Sequence, residues 1–259
     1  MKKIHLLTDR QLENIVQQRL QQATETAARS YERDLLMKQA NIATLQSQIN
    51  PHFLYNTLEC IRGQALLENA DDIARTAQAL SRFFRYSISG KSDLATLREE
   101  LENVRNYVLI QQYRFQNRFA LNIDGGSDES VMEAVLPKLS LQPALENAII
   151  HGFSDITEGG LISVTIRRAG PNVSVCVSDN GRGMTAEQLA GICASLRGEP
   201  QPPRQNDGHH TGIGLQNVNE RIRLCFGEAY GISVSSSPGE GTDVELFFPY
   251  QLSLQEREL

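Results

Sequence analysis

Tryptophan is absent from this 259-residue chain, and only 6% of its residues are aromatic. Cysteine is also scarce: the four copies, at positions 60, 176, 193 and 225, form neither a C-x-x-C pair nor a cluster with histidine. This spacing argues against a structural zinc site and is typical of a reducing compartment. Hydrophobic residues still make up 40% of the chain and charged residues 22%, which is enough apolar material for a folded core.

An excess of positive charge and a long apolar run are also lacking. The 25 Lys and Arg against 31 Asp and Glu give a net charge of −6, which argues against nucleic acid as a partner. No apolar run approaches the ~18 residues that cross a bilayer, and residues 1–7 are too soon polar for a signal peptide. We therefore expect a soluble chain, which could still be the cytoplasmic portion of a larger membrane protein.

Glycine and proline are missing from residues 9–48, where Gln, Glu, Arg and Ala dominate. Apolar residues recur there mostly at spacings of three, four and seven, which predicts a long helix with a narrow apolar stripe. The stripe consists of Leu12, Val16, Leu20, Ala23, Ala27, Leu35, Ile42, Leu45 and Ile49. A dimeric coiled coil fits such a helix, because a single helix of this kind has little to bury. The alternative is a helix packed on its own domain.

The remainder of the chain divides into a helical part and a mixed part. Helices are expected at residues 71–88 and from Thr96 to about residue 116, where Thr96 and Glu99 form a capping box. Beyond residue 118, β-branched and alternating apolar residues predict strands at 119–124, 161–167, 173–178, 232–236 and 243–248. Helices are expected between them at 139–151, 186–195 and 215–226. The predicted fold is therefore α+β, with an N-terminal helical region followed by an α/β sandwich.

Two glycine-containing segments of the mixed part have residue types suited to a nucleotide. Asp179 directly follows a predicted strand, where its carboxylate can accept an amino hydrogen from a planar base. Gly181 and Gly183 follow it and let the backbone approach the ring closely. Gly212 and Gly214 precede a predicted helix, whose first N–H groups can receive phosphate oxygens. Each segment alone is a weak signal, but their order and structural contexts together are specific.

A third segment offers oxygen ligands. Glu146 and Asn147 lie on a predicted helix, with His151 four residues after Asn147 and hence on the same face. An amide oxygen beside a carboxylate suits Mg²⁺ that retains several waters. Residues 197–210, rich in Gly, Pro, Gln and Asn, are predicted to form a mobile loop of the kind that often serves as a lid.

These segments together resemble the ATP-binding domain of gyrase B, the Hsp90 chaperones, MutL and the histidine kinases. Residues 141–148 are similar to the N box of that family, residues 179–183 to its G1 box, and residues 212–218 to its G2 box. The resemblance implies ATP bound under a lid in a left-handed βαβ sandwich. It implies Asn147 as the Mg²⁺ ligand and Asp179 as the acceptor for the adenine amino group. The remaining nucleotide-binding residues implied are Gly181, Gly183, Gly212, Gly214, Leu215, Thr242 and His151.

One position departs from the pattern of many histidine kinases. They have Lys three residues after the N-box Asn, where this chain has Ile150. A cation for the phosphates would then come from His151 or from a lid residue such as Arg204, or be absent.

The segment N-P-H-F-L-Y-N, which begins at Asn50, interrupts the long helix. Pro51 has no N–H and clashes with a carbonyl one turn earlier, so the helix must bend or restart. We favour a bent, continuous helix because the apolar stripe runs through the segment. In the alternative, Asn50 caps a new helix, which would place His52 near positive dipole ends and favour its neutral form.

This segment is similar to the phosphoacceptor box of the LytS/YesM-type sensor histidine kinases, and the resemblance extends over residues 45–249. It implies that His52 accepts the γ-phosphoryl group of ATP and passes it to an Asp of a response regulator. It also implies a homodimer and an upstream membrane or sensor segment. The domains expected on this basis are a signalling helix at 1–44, dimerisation and phosphotransfer helices at 45–117, the ATP-binding domain at 118–250 and a tail at 251–259.

The proton acceptor for His52 is less evident. Other histidine kinases often have an acidic residue directly after the acceptor histidine, where this chain has Phe53. Glu146, beside the expected Mg²⁺ ligand, is the candidate, since Glu59 lies two helical turns (~10.5 Å) from His52. Asn56, one turn after His52, is expected either to orient a water that dephosphorylates the regulator or to stiffen the helix through a local hydrogen bond.

Two other functions compete with this one. A nucleotide-sensing, non-catalytic dimeric scaffold would explain the missing Lys and the missing acid. A gyrase- or chaperone-like ATPase would use the nucleotide site, but it has no need of the segment around His52.

Overall fold

The computed structural model describes residues 51–88, 92–125, 128–199 and 213–252. The coiled coil expected in residues 9–48 lies outside these ranges. So do Asn50, Gly212, Arg204 and most of the expected lid. The choice between a bent and a restarted helix at Pro51 therefore remains a prediction.

Three helices occupy the N-terminal part of the described chain. They are α1 (Pro51–Leu67), α2 (Asp71–Ile88) and α3 (Leu97–Arg114). The observed bounds of α2 match the predicted ones, and its buried face includes Ala74 and Ala77. The guanidinium of Arg85 on α2 lies 5.3 Å from the ring centroid of Tyr55 on α1, so the two helices are in contact at this point. These helices confirm the helical half of the expected fold.

The start of α3 has the predicted capping box. The Thr96 hydroxyl accepts the Glu99 N–H at 3.2 Å, and the Glu99 carboxylate accepts the Thr96 N–H at 2.9 Å. Two orphan donors of the helix terminus are thereby satisfied. The helix ends at Arg114, shortly before Gln116 and Asn117 adopt left-handed φ values of 55° and 58°.

The second half is built on a five-stranded sheet. Its strands are β2 (Phe119–Asp124), β4 (Gly160–Ala169), β5 (Asn172–Asp179), β6 (Gly231–Ser237) and β7 (Gly241–Pro249), in the order β2-β4-β5-β7-β6. Strands β2 and β4 are parallel and the other pairs are antiparallel. All five predicted strands are confirmed. Sequence patterns missed a small antiparallel pair, β1 (Leu94–Thr96) with β3 (Val135–Pro137), and the 3₁₀ helix Glu129–Glu133, because elements this short contain too little periodicity.

Helices cover one face of this sheet. They are α4 (Gln142–Asn147), a π-helix (Ala148–Gly152), α5 (Ala186–Leu196) and α6 (Ile213–Phe226). The core between the layers includes Val164 and Val175 of the sheet with Leu145 and Ile222 of the helices. Burial alternates along β4 and β5, so the opposite face is more open. The α+β class with a sandwich domain is therefore confirmed. None of the described helices is long and apolar enough to span a bilayer.

Candidate nucleotide-binding site

Asp179 lies at the end of the central strand β5, where the sheet positions it. Its partner in the register with β7 is Thr242, so two residues that are 63 positions apart in sequence become neighbours. The Asp179 Oδ1 atom accepts the N–H of Gly181 at 2.8 Å. Partial burial raises the pKa of the Asp179 carboxyl, and backbone hydrogen bonds from Gly181 and Thr242 counter that rise. Asp179 is therefore a half-buried hydrogen-bond acceptor at the end of the central strand.

Glycine is needed beside this carboxyl group. A Cβ on Gly152 would lie 2.9 Å from Asp179 Oδ1, and a Cβ on Gly181 would lie 2.6 Å both from that oxygen and from the Gly152 Cα. The Arg182 N–H donates to the Gly152 carbonyl at 3.0 Å, which joins the end of the π-helix to the G1 segment. The sequence motifs did not single out Gly152, although its position four residues after the N-box segment was an available signal.

The second glycine of the G1 segment has a different reason to be glycine. Gly183 has a φ of 65°, and a Cβ there would lie 1.9 Å from the Ser237 carbonyl oxygen. The same corner holds Thr242, whose hydroxyl is 3.0 Å from the Ser236 hydroxyl. Ser236 also accepts the Met184 N–H at 2.9 Å. The G1 turn is thus fixed against the ends of β6 and β7.

The N-box helix places two oxygen-bearing side chains near its end. The Gln142 amide donates to Glu146 Oε1 at 2.7 Å, which orients that carboxylate. Glu146 and Asn147 are half-buried. The Oε1 atom of Gln142 is buried and accepts no hydrogen bond from the described residues. A buried, unsatisfied acceptor on a side chain that contacts a carboxylate is an arrangement that a cation or its waters can complete.

A π-helix follows Asn147 directly. The expected sharing of one face by Asn147 and His151 assumed α-helical spacing, whereas Ala148–Gly152 is π-helical, with a wider turn. His151 is half-buried, and Ile150, at the position of the expected Lys, is 49% exposed. Single π turns within helices are frequent at functional sites. Sequence periodicity does not reveal them, because five residues are too few to distinguish the two helix types.

The described part of the G2 segment packs against the N-box helix. A Cβ on Gly214 would lie 3.1 Å from the Pro143 Cβ, so the starts of α6 and α4 approach closely. Leu215 is 2% exposed, and its side chain belongs to the core rather than to the surface of a cleft.

The described residues of the predicted phosphoacceptor segment, 51–56, lie in the first two turns of α1. His52 and Asn56 are both exposed there, and the Phe53 side chain is 69% exposed. The Arg62 guanidinium donates to the Glu59 carboxylate at 2.8 Å. Within the described ranges, no group of three or more His, Cys, Asp or Glu side chains is arranged to hold a metal ion.

Comparison with known proteins gives two matching family models. Residues 40–119 match the histidine kinase family, and residues 134–252 match the histidine kinase-, DNA gyrase B- and HSP90-like ATPase family. The sensor histidine kinase YesM of Bacillus subtilis is 36% identical over 230 residues, which are 89% of this chain and 37% of YesM. The sensor histidine kinase BtsS of Escherichia coli is 32% identical over 230 residues, or 88% of this chain and 37% of BtsS.

Among solved structures, the histidine kinase domain of the blue-light activated kinase of Erythrobacter litoralis EL346 matches with a TM-score of 0.42 and 18% identity. The match covers 77% of this chain and 96% of that domain.

Both domains of a protein-histidine kinase are therefore present in this chain. The chain is similar to the sensor histidine kinases YesM and BtsS, and it spans 37% of the length of these two relatives.

Proposed function

We propose that this chain binds ATP, phosphorylates itself on His52 and passes the phosphoryl group to an Asp of a response regulator. The observation that supports this most directly is the exposure of His52 in the first turn of α1, on a chain that also folds an ATPase-type nucleotide site. An exposed imidazole can approach the γ-phosphorus, whereas a core histidine could not.

Adenine recognition depends on the end of β5. Asp179 offers a half-buried acceptor to the adenine amino group, and Thr242 lies beside it in the register. The close contact of Gly152 with Gly181 leaves this acceptor without a bulky side chain over it. We assign Gly181 and Gly183 to the base end of the nucleotide. To the phosphate end we assign Gly212, Gly214, the backbone N–H of Leu215, whose side chain is in the core, and His151.

The N-box helix fits a magnesium ion. Asn147 would hold it, supported by the Glu146 carboxylate and the unsatisfied Gln142 Oε1. Bound there, magnesium neutralises negative charge on the phosphoryl group during transfer.

The reaction then requires two steps from the protein: attack by the His52 imidazole and uptake of its proton. A nitrogen of the neutral His52 imidazole forms a bond to the γ-phosphorus while the bond to the β–γ bridging oxygen breaks, and ADP leaves. The proton on the other ring nitrogen must be taken up. We assign that role to Glu146, whose carboxylate is oriented by Gln142. Glu59 is less suitable because Arg62 already pairs with it.

We also propose the surroundings of this reaction. The chain forms a homodimer through its helical region, with a signalling helix at 1–44, phosphotransfer helices at 45–117, the ATP-binding domain at 118–250 and a tail at 251–259. It is the cytoplasmic portion of a membrane sensor whose other segments lie outside this sequence. Asn56 orients a water for dephosphorylation of the regulator.

Incubation of the 259-residue chain with γ-labelled ATP and Mg²⁺ tests the function. We expect an acid-labile, base-stable phosphoprotein, lost in His52→Gln and retained in the control His5→Gln. Released phosphate without labelled protein would indicate an ATPase. Labelling of His52→Gln at the level of the unmodified chain would refute the assignment of the acceptor.

A second candidate is a dimeric scaffold that senses nucleotide without catalysis. Ile150 and Phe53, at positions where many histidine kinases have Lys and an acid, favour it. Binding of ATP with neither labelling nor phosphate release would support this candidate.

A further inference from the structure

A buried acid lies next to the residue that caps α3. Glu99 is exposed and completes the capping box, whereas its neighbour Glu100 is 1% exposed and has no part in that box. Burial of an ionisable side chain is costly unless its oxygens are satisfied. Helix formation by α3 does not require an acid at this position, so Glu100 has another purpose.

The Glu100 carboxylate accepts three consecutive backbone N–H groups from a distant turn. Its Oε1 accepts from Leu139 at 2.6 Å, and its Oε2 accepts from Ser140 at 2.9 Å and Leu141 at 3.2 Å. Leu139 has a left-handed φ of 59°, which points successive N–H groups to one side. Burial raises the pKa of the Glu100 carboxyl, and these hydrogen bonds counter that rise.

This turn leads directly into the N-box helix. Leu141 is the N-cap residue of α4, and its side chain makes no capping hydrogen bond. A helix start without a cap leaves N–H donors unsatisfied. Glu100 of α3, 41 residues earlier in the sequence, accepts the N–H of this N-cap residue and of the two residues before it.

Further contacts from α6, from Asp93 and from α2 hold the same turn. The Arg221 guanidinium of α6 donates to the Lys138 carbonyl, and the Lys138 N–H donates to the Asp93 carbonyl at 2.9 Å. Lys138 Nζ lies 5.4 Å from the ring centroid of Tyr86. The Tyr86 hydroxyl of α2 donates to the Glu100 carboxylate. A chain of contacts therefore joins α2 to the start of the N-box helix.

We propose that Glu100 is a positioning residue for the phosphoryl-transfer site. The Tyr86 hydroxyl, by its hydrogen bond to Glu100, couples the position of this carboxylate to α2. Glu100 fixes the start of α4, and α4 orients Glu146 and Asn147 within two turns of that start. A loosened start would displace the magnesium ligand while leaving Asp179, on β5, in place. This inference depends on the proposed function, because it concerns the magnesium end of the same site.

The test compares nucleotide affinity with and without magnesium. Calorimetric titration of the 259-residue chain with a non-hydrolysable ATP analogue gives one Kd in Mg²⁺ and one in EDTA. The gain from Mg²⁺ is the ratio of the Kd in EDTA to the Kd in Mg²⁺. We expect this ratio to be about tenfold smaller in Glu100→Gln than in the unmodified chain, because the variant lacks a charged acceptor of several hydrogen bonds. Its affinity in EDTA should stay within about twofold of the unmodified chain.

Glu99→Gln is the matched control, because Gln at this position preserves a capping box and the side chain is exposed. It should retain the full gain from Mg²⁺. Tyr86→Phe removes only the hydroxyl group. It should lose a smaller part of the gain, which also decides the inference if Glu100→Gln does not fold.

The outcomes separate cleanly. A full gain from Mg²⁺ in Glu100→Gln would overturn the inference. If that variant does not fold, a full gain in Tyr86→Phe would overturn it. A parallel loss of affinity with and without Mg²⁺ would overturn it too, because it would indicate general destabilisation. If the unmodified chain gains nothing from Mg²⁺, the proposed magnesium site itself is wrong, and this inference fails with it.

Discussion

Asp179 pairs with Thr242 across the antiparallel strands β5 and β7. Two residues from separate motifs, both assigned to the base end of the nucleotide, are therefore neighbours at the same end of the sheet. The π-helix that follows the N-box helix approaches the same strand ends at Gly152, whose Cα would lie 2.6 Å from a Cβ on Gly181. This arrangement predicts how substitutions at these positions change nucleotide affinity, stability and phosphorylation.

Asp179→Asn should weaken nucleotide binding about tenfold or more, because the charged acceptor for the adenine amino group is lost. The Asn Oδ1 can still accept the Gly181 N–H, so the fold should survive. Titration calorimetry measures the Kd, and circular dichroism checks the fold. An unchanged Kd would refute the assignment of Asp179 to adenine.

Asp179 should also affect stability as a function of pH. Burial raises the pKa of its carboxyl in the folded chain, so its contribution to the free energy of unfolding is present below the ordinary carboxyl pKa. That contribution is lost as the pH rises through the raised value. Asp179→Asn should therefore become more stable relative to the unmodified chain as the pH rises from the ordinary carboxyl pKa through the raised pKa of Asp179. Urea unfolding at a series of pH values measures the difference, and the same substitution at the exposed Asp93, Asp93→Asn, is the control.

Asn147→Asp should impair autophosphorylation more than nucleotide binding. The change adds a negative charge where the proposed Mg²⁺ ligand lies, which alters the charge balance around the transferring phosphoryl group. The rate of His52 labelling at saturating ATP and the Kd for the nucleotide are the two measurements. Equal losses in both would contradict a role in the transfer step.

Gly152→Ala should destabilise the chain by about 1–3 kcal/mol, because the added methyl group overlaps Asp179 Oδ1. Nucleotide affinity should fall at the same time. Gly63→Ala is the control, since a Cβ there meets nothing within 4 Å and α1 is already helical at that position. Thermal unfolding of both variants decides the matter. Equal stability of Gly152→Ala and Gly63→Ala would count against a tight contact.

Asn56→Ala should leave His52 labelling near normal while the phosphorylated regulator survives longer in the presence of the chain. Asn56 is exposed one turn after His52, where its amide can hold a water. The lifetime of the phosphorylated regulator is the measurement, and the neighbouring variant Thr57→Ala is the control. Collapse of labelling and dimerisation together would instead favour a structural hydrogen bond in α1.

Much of the framework was predictable from sequence because its signals are local. The strands show alternation, α2 shows its apolar face, and the pair Thr96 and Glu99 defines the start of α3. The motif residues Asp179 and Gly181 were identified in the same way, from a carboxylate and glycines at a strand end. Each of these signals lies within a few residues.

The parts that escaped prediction depend on distant partners. The need for glycine at position 152 arises from Asp179, and Glu100 acts on Leu139 and the residues after it. An acid in the first turn of a helix is ordinarily explained by the helix dipole, so nothing in its own neighbourhood distinguishes Glu100 from Glu99. The π-helix after Asn147 is similarly hidden.

The position of β7 has a consequence for synthesis of the chain. This strand is the last in sequence of the described strands, yet it lies inside the sheet, between β5 and β6. While the ribosome is still making residues 241–249, β5 has an unpaired edge, and Asp179 lacks its neighbour Thr242. The proposed adenine site of the nascent domain is therefore incomplete until its final strand has been made, and the open strand edge in the meantime is a site for chaperone binding or misassembly.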